Sequence, residues 1–154
     1  MAEHELWKLR ETFESSSVFS GLVDPDLDWI LDGAETLQFD SNDVVLKRGT
    51  PSNHVLIVLR GLLEVETEHS RSGTIAMGRI EPGDLLGEIG VLQDAPRTAT
   101  VKVLEPSELL KIPQPDFLAL LVAHPALAIR VLGVVTDRLS RLTDRIGGIE
   151  PRPR

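Results

Sequence analysis

Gly87-Glu88-Ile89-Gly90-Val91-Leu92-Gln93-Asp94-Ala95-Pro96-Arg97-Thr98-Ala99-Thr100-Val101 is the stretch on which the reading of this chain turns. It sets a glycine-flanked acid, a short apolar turn and an arginine into one loop of a region otherwise patterned as β-strand. An anion inside a protein needs donors, and backbone N–H groups at the start of a short helix supply them without long side chains. Gly87 permits close backbone approach, and Glu88 to Leu92 is long enough for one helical turn whose first amides can face a ligand. Arg97 can complete the anion site with a charge-assisted, two-pronged contact. A carboxylate such as Glu88 is out of place beside a phosphate unless it serves another group. A sugar hydroxyl suits it, as in dinucleotide sites. An acid for a sugar and an arginine for a phosphate, on one loop, point to a compact nucleotide.

Around this loop, from Thr36 to Pro113, short β-type runs alternate with turn residues. Asp40-Ser41-Asn42-Asp43 and Arg48-Gly49-Thr50-Pro51-Ser52-Asn53 are turn clusters, with Val44–Lys47 between them and His54–Leu59 after them. Gly61 is read as a turn into Leu63–Glu68, whose alternation leaves Glu64, Glu66 and Glu68 on a wet face. Thr74–Ile80, Ala99–Val103 and Glu108–Ile112 follow as further strands. Many short, evenly spaced strands predict a sandwich or barrel.

Helical patterns flank the strands. Leu6, Leu9 and Phe13 share one helix face, and Asp24-Pro25 opens a second helix through Leu27, Ile30 and Leu31 that Gly33 closes. After Pro113 a helix over about 115–123 meets a break at His124-Pro125, and a last helix runs to Gly147-Gly148. On that helix Ala128, Leu132, Val135, Leu139, Leu142 and Ile146 recur as a heptad seam. Two readings of the seam stand: it packs on the domain's own strands, or part of it pairs with a second subunit as a homodimer. The expected organisation is one domain over 1–154, with an N-terminal helical segment (1–34), a β-region (35–113) holding the loop at 86–101, C-terminal helices (114–148) and a tail (149–154).

Composition narrows the function. With 42% hydrophobic and 26% charged residues the chain reads as an ordinary soluble globular domain. The absence of cysteine removes disulfides, thiolate zinc sites, iron–sulfur clusters and thiol nucleophiles together. A net charge of −8 argues against nucleic acid as a partner, because phosphate neutralisation supplies much of that affinity. An acidic amino terminus and the lack of a long apolar run argue against a secretory signal or a membrane partner, so a cytoplasmic location is expected. His4, His54, His69 and His124 are scattered and suggest no metal site. No nucleophile motif or Walker-type loop is present, so no enzyme activity and no catalytic cofactor are expected.

The central segment resembles the phosphate-binding cassette of the cyclic nucleotide-binding domain family. Gly87-Glu88 and Arg97-Thr98-Ala99-Thr100-Val101 match its two ends, Val55–Gly61 is similar to the upstream strand and glycine turn, and Ile80–Leu86 to the approach. The resemblance covers about Val18 to Gly147. It implies a jelly-roll β-barrel of about eight strands with helices at both ends, binding cyclic AMP or cyclic GMP. It places Glu88 on the ribose hydroxyl, Arg97 on the cyclic phosphate, and the amides of Ile89 and Thr98 on further phosphate oxygens, with Gly87, Gly90 and Ala99 completing the cassette. The last helix would be a lid, and Ile75, Arg138, Leu142 and Thr143 stand at base or lid positions. The alternative is that Glu88 and Arg97 simply pair with each other.

Thr98 follows the cassette arginine, where a threonine often accompanies cyclic GMP in the family, although members that use cyclic AMP also carry it. On the lid of the catabolite activator type two consecutive hydroxyl residues meet adenine, whereas Leu142-Thr143 offers one hydroxyl. Cyclic AMP is the favoured ligand by a narrow margin. Only Pro151-Arg152-Pro153-Arg154 and a few residues follow the lid, too few for the helix-turn-helix of that type. The expectation is a stand-alone sensor acting through another protein, the alternatives being a regulatory domain of a longer protein or a ligand-free scaffold of the same fold.

Overall fold

A computed structural model describes residues 3–16, 18–22, 24–69 and 73–147, with side chains at most of these positions but not at 3–6, 8, 24, 67–69, 73–77, 139 or 141–147. The chain runs α1 (Glu3–Ser15), α2 (Asp24–Gly33), β1 (Glu35–Phe39), β2 (Val44–Leu46), β3 (His54–His69), β4 (Gly73–Ile80), β5 (Leu85–Leu86), α3 (Glu88–Gln93), β6 (Thr100–Pro113), α4 (Gln114–Ala123) and α5 (Pro125–Gly147). The strands form one antiparallel sheet in the order β1-β6-β3-β4, with β2 also on β6 and β5 on β3.

Among the described residues the strands number six, not about eight, and the difference has a local cause. Gly61 does not turn the chain. It adopts φ +106° inside β3, where the register with β6 slips between Val58 and Arg60 and again between Arg60 and Leu62. The strand bends through these irregularities and continues, as β-bulges allow. A side chain at Gly61 would run into Ser107 on the facing strand, so glycine serves the close approach here. Likewise β6 passes unbroken through Glu105-Pro106, joining two runs that read as separate in the sequence.

Strand alternation sorts the interior into two cores. Val55, Ile57 and Leu59 of β3 face the helices, packing with Leu9 and Phe13 of α1, Val18 and Phe19 of the following turn, Leu27 and Ile30 of α2, Phe117 and Leu120 of α4, and Leu127 and Val131 of α5. Leu56, Val58 and Leu63 face the other way, against Leu46, Ile80, Leu86, Val101, Val103 and Leu109, with Leu37 and Phe39 alongside. All six strands contribute to this second core, so the sheet curls around it in a jelly-roll-like form.

The C-terminal helices meet at an elbow. His124 separates α4 from α5, whose axes differ by 117°. The buried stripe of α5 is Leu127 and Val131, with Val134 and Val135 half-buried behind them. Leu127 and Val131 lie one residue, or about 100° of helix, from Ala128 and Leu132 of the heptad seam, whereas Val135 of the seam packs against the core. Leu132 of the seam is 63% exposed, Ile129, three residues before it on α5, is 70% exposed, and Val122 of α4 is 83% exposed. The described part of the seam is therefore not simply the core face. Among the described residues no single helix is long and apolar enough to cross a membrane.

Candidate functional site

The cassette is held from behind by the turn between β2 and β3. Arg97 N donates to Thr50 O (2.8 Å), Gly49 N donates to Arg97 O (2.9 Å), and Arg48 N donates to Thr100 Oγ1 (3.1 Å). These contacts fix the arginine's backbone, and its side chain then turns inward. Arg97 is 4% exposed, with Nη1 donating to Gly87 O (3.1 Å) and Nη2 to His54 O (2.8 Å). A guanidinium has five N–H donors in a planar fork, so two are spent on orientation and others remain for an anion. Gly87, at φ +83°, has no room for a Cβ beside Arg97 Nη1. The absent side chain is what lets the guanidinium lie against the backbone.

Glu88 opens α3 and is fully buried. Its partner is not Arg97. Arg138, from the middle of α5, donates through Nη1 to Glu88 Oε1 (2.5 Å) and through Nη2 to Leu85 O. The second carboxylate oxygen, Oε2, is buried and accepts no hydrogen bond. Burial pushes the Glu88 carboxyl above its usual range, while the charge of Arg138, the residue's own backbone N–H and the charge of Arg97 hold it back. Burial likewise draws Arg97 down, and Glu88 opposes that. An unsatisfied buried acceptor is costly, so Oε2 asks for a donor.

The first amides of α3 lack partners within the helix by construction, which places the N–H of Ile89 at the same end as Glu88 and near Arg97. Gly90 is packed where a Cβ would strike Ser52 Oγ and stand 3.0 Å from Ala95 O. Ser52 Oγ is itself buried without a partner. Thr98 is exposed and Ala99 half-buried, both directly after the arginine and free of regular structure. His54, whose carbonyl receives Arg97, has its ring Nδ1 2.7 Å from Asn53 Oδ1. Burial, then Arg97 and Lys111, push this imidazole down to about 4, so it is neutral near pH 7.

The structure thus brings Gly87, Glu88, Ile89, Gly90, Arg97, Thr98, Ala99 and Arg138 to one place, and the pairing of Glu88 with Arg97 is replaced by pairing with Arg138. Ile75 lies on β4 and Leu142 and Thr143 on α5, but their side chains are outside the described residues. His54, Gln114 and Ser52 carry no signal in the sequence that marks them as neighbours of the site. Gln114 Nε2 donates to Val91 O (3.2 Å) and its N to Asn53 O (3.0 Å), tying the start of α4 to α3. No local pattern announces such contacts, because each joins segments far apart in the chain.

Comparison with known proteins identifies the family and the fold. The family model for the cyclic nucleotide-binding domain matches residues 36–124. A lysophospholipase NTE1 of Pyricularia oryzae is 28% identical over 110 residues, covering 71% of this chain and 7% of that protein. The chain therefore spans less than a tenth of the length of this curated relative. Among solved structures, a cyclic nucleotide-binding domain of Methylobacillus flagellatus superposes with a TM-score of 0.78 at 19% identity, over 97% of this chain and 86% of that one. The regulatory domain of Toxoplasma gondii PKA, crystallised with cAMP, gives 0.72 at 22% identity, over 78% and 46%.

Proposed function

Because the chain belongs to the cyclic nucleotide-binding domain family, we propose that it senses cyclic AMP, with cyclic GMP the runner-up, by coupling the ligand to the position of α5. The observation that carries this is the divided use of Glu88: Oε1 is taken by Arg138 of α5 and Oε2 is left without a donor. A ribose hydroxyl donating to Oε2 satisfies the orphan and leaves the α5 contact in place. The cyclic phosphate then falls to the remaining donors of Arg97 and to the amides of Ile89 and Thr98. Ligand and α5 thus share one buried carboxylate. A ligand that binds better when α5 is docked shifts α5 toward that position.

Cyclic AMP is favoured because the Toxoplasma neighbour was crystallised with it, while the exposed Thr98 hydroxyl keeps cyclic GMP open. The role proposed is regulatory rather than catalytic, with the nucleotide leaving unchanged and without a catalytic cofactor or metal. With a small soluble anion as its ligand, the domain is placed in the cytoplasm. The exposed Ile129 and Leu132, three residues apart on one face of α5, support a homodimer through the C-terminal helices, since exposed apolar surface of this kind marks interaction sites. A further protein partner, rather than nucleic acid or a membrane, would receive the signal.

The test is thermal stabilisation by cyclic AMP, 2′-deoxy cyclic AMP and 5′-AMP. A specific ligand raises the midpoint by mass action, so cyclic AMP should stabilise most and the deoxy analogue distinctly less. No shift with cyclic AMP or cyclic GMP would favour a ligand-free scaffold of the same fold. Sedimentation of wild type and Leu132→Asp tests the dimer, which the substitution should dissociate.

A further inference from the structure

The ligand reading uses α3 and Arg138 and gives the N-terminal segment no role, yet that segment is joined to the root of α5 by polar contacts. His124 sits in the elbow between α4 and α5, with Nε2 2.9 Å from Asp26 Oδ1 on α2. Its backbone also builds the elbow: N donates to Leu120 O (3.0 Å), and O accepts from Leu127 N (3.0 Å) and Ala128 N (3.2 Å). Nearly two turns further on, Arg130 Nη1 donates to the carbonyls of Val18 and Ser20, in the turn that follows α1. Gly21 closes that turn at φ +92°, and a Cβ there would stand 3.2 Å from Arg130 Nη2.

The same turn reaches the approach to the cassette. Ser16 Oγ accepts from Val18 N (3.2 Å) and Phe19 N (3.3 Å) and donates to Gly83 O (2.7 Å). Gly83 leads into β5, where Leu85 O receives Arg138. A closed circuit results: the root of α5, the turn after α1, the turn before β5, and back to α5 at Arg138. Arg130 and Arg138 lie about 12 Å apart along the helix at 1.5 Å per residue. Beneath them Leu127 and Val131 share one core with Val18, Phe19, Leu27 and Ile30.

We propose that Arg130 and His124 are positioning residues for ligand binding: by fixing the root of α5 to the turn after α1 and to α2, they set where Arg138 meets Glu88, so the N-terminal segment tunes the affinity of the cassette from a distance. The proposal rests on the cyclic nucleotide reading given above. A helix held at its root and at Arg138 has its docked position specified twice. Loss of the root contact lowers the population of the docked, binding-competent state, and apparent affinity falls by the same fraction.

The test compares wild type, Arg130→Met, Arg130→Lys and Asp26→Ala by calorimetric titration with cyclic AMP and by amide exchange over residues 125–138 in the ligand-free protein. Arg130→Met and Asp26→Ala should each weaken binding about three- to tenfold, chiefly through faster dissociation, with faster exchange in α5. Arg130→Lys should recover part of both. Should Arg130→Met fail to fold, Asp26→Ala decides, because it removes the second contact and spares the first. Unchanged affinity in the folded variants overturns the proposal. A wild type that binds no cyclic nucleotide counts against the cassette reading instead; exchange in α5 then decides for the anchor, and unchanged exchange overturns it.

Discussion

Arg138 on α5 donates to one oxygen of Glu88 on α3 and leaves the other oxygen, equally buried, without a donor. The arrangement makes the two partners unequal. Removing Arg138 strands a buried charge, whereas Glu88→Gln neutralises it. Arg138→Met should therefore cost about 2–4 kcal/mol of stability near pH 7, somewhat under the range for breaking a fully buried pair, because Arg138 keeps part of its solvent contact. Glu88→Gln should cost distinctly less. Urea unfolding of both variants checks the order, and equal losses would contradict it.

The same pair has a pH signature. Burial raises the Glu88 carboxyl above its unfolded value, so the folded state takes up this proton first, and the group's contribution to stability declines as pH rises through the folded value. The penalty of Arg138→Met should accordingly shrink on acidification. Ligand binding should run the other way. A ribose hydroxyl donates more strongly to the carboxylate than to the protonated acid, so affinity should fall as pH drops through the raised value. Calorimetry from neutral to acid pH checks this, and Glu88→Gln should flatten the dependence.

Arg97 is oriented by Gly87 O and His54 O. Arg97→Ala should weaken cyclic nucleotide binding by about 2–4 kcal/mol, as when a buried anion loses its charged partner. Unchanged affinity in calorimetry would remove Arg97 from the site.

Gly90 and Ser52 form a steric pair. A Cβ on Gly90 would collide with Ser52 Oγ and crowd Ala95 O, so Gly90→Ala should destabilise by about 1–3 kcal/mol, the usual cost of overpacking. Ser52→Gly in the same chain should recover part of that loss. Thermal midpoints of the two single variants and the double variant measure the coupling, and strict additivity would contradict the contact.

His54 is held down to about 4, below its unfolded value of 6.5. The unfolded chain therefore takes up this proton first, and the stability that depends on a neutral His54 is lost as pH falls from 6.5 toward the folded value. His54→Gln should show a shallower loss of stability between about pH 7 and about pH 5. Superimposable pH profiles for variant and wild type would contradict it.

The cassette was legible because it is local: Glu88, Arg97 and the glycines fall within one short stretch. The helices were legible for the same reason, their caps and periods being written in adjacent residues. The strands were harder. Gly61 has the signature of a turn, yet the sheet absorbs it as a bulge, because β6 supplies partners on both sides of it. The helical period puts Arg138 on α5, but its pairing with Glu88 depends on how α5 leaves the elbow at His124. The contacts of Arg130, Ser16 and Gln114 join segments that only the fold makes neighbours.

The central claim is that Glu88 and Arg97 hold the sugar and phosphate of a cyclic nucleotide. It is tested most directly by calorimetric titration of the wild-type protein with cyclic AMP and cyclic GMP side by side. The account predicts saturable binding of one nucleotide per chain, tighter for cyclic AMP. Absence of binding to both would contradict it.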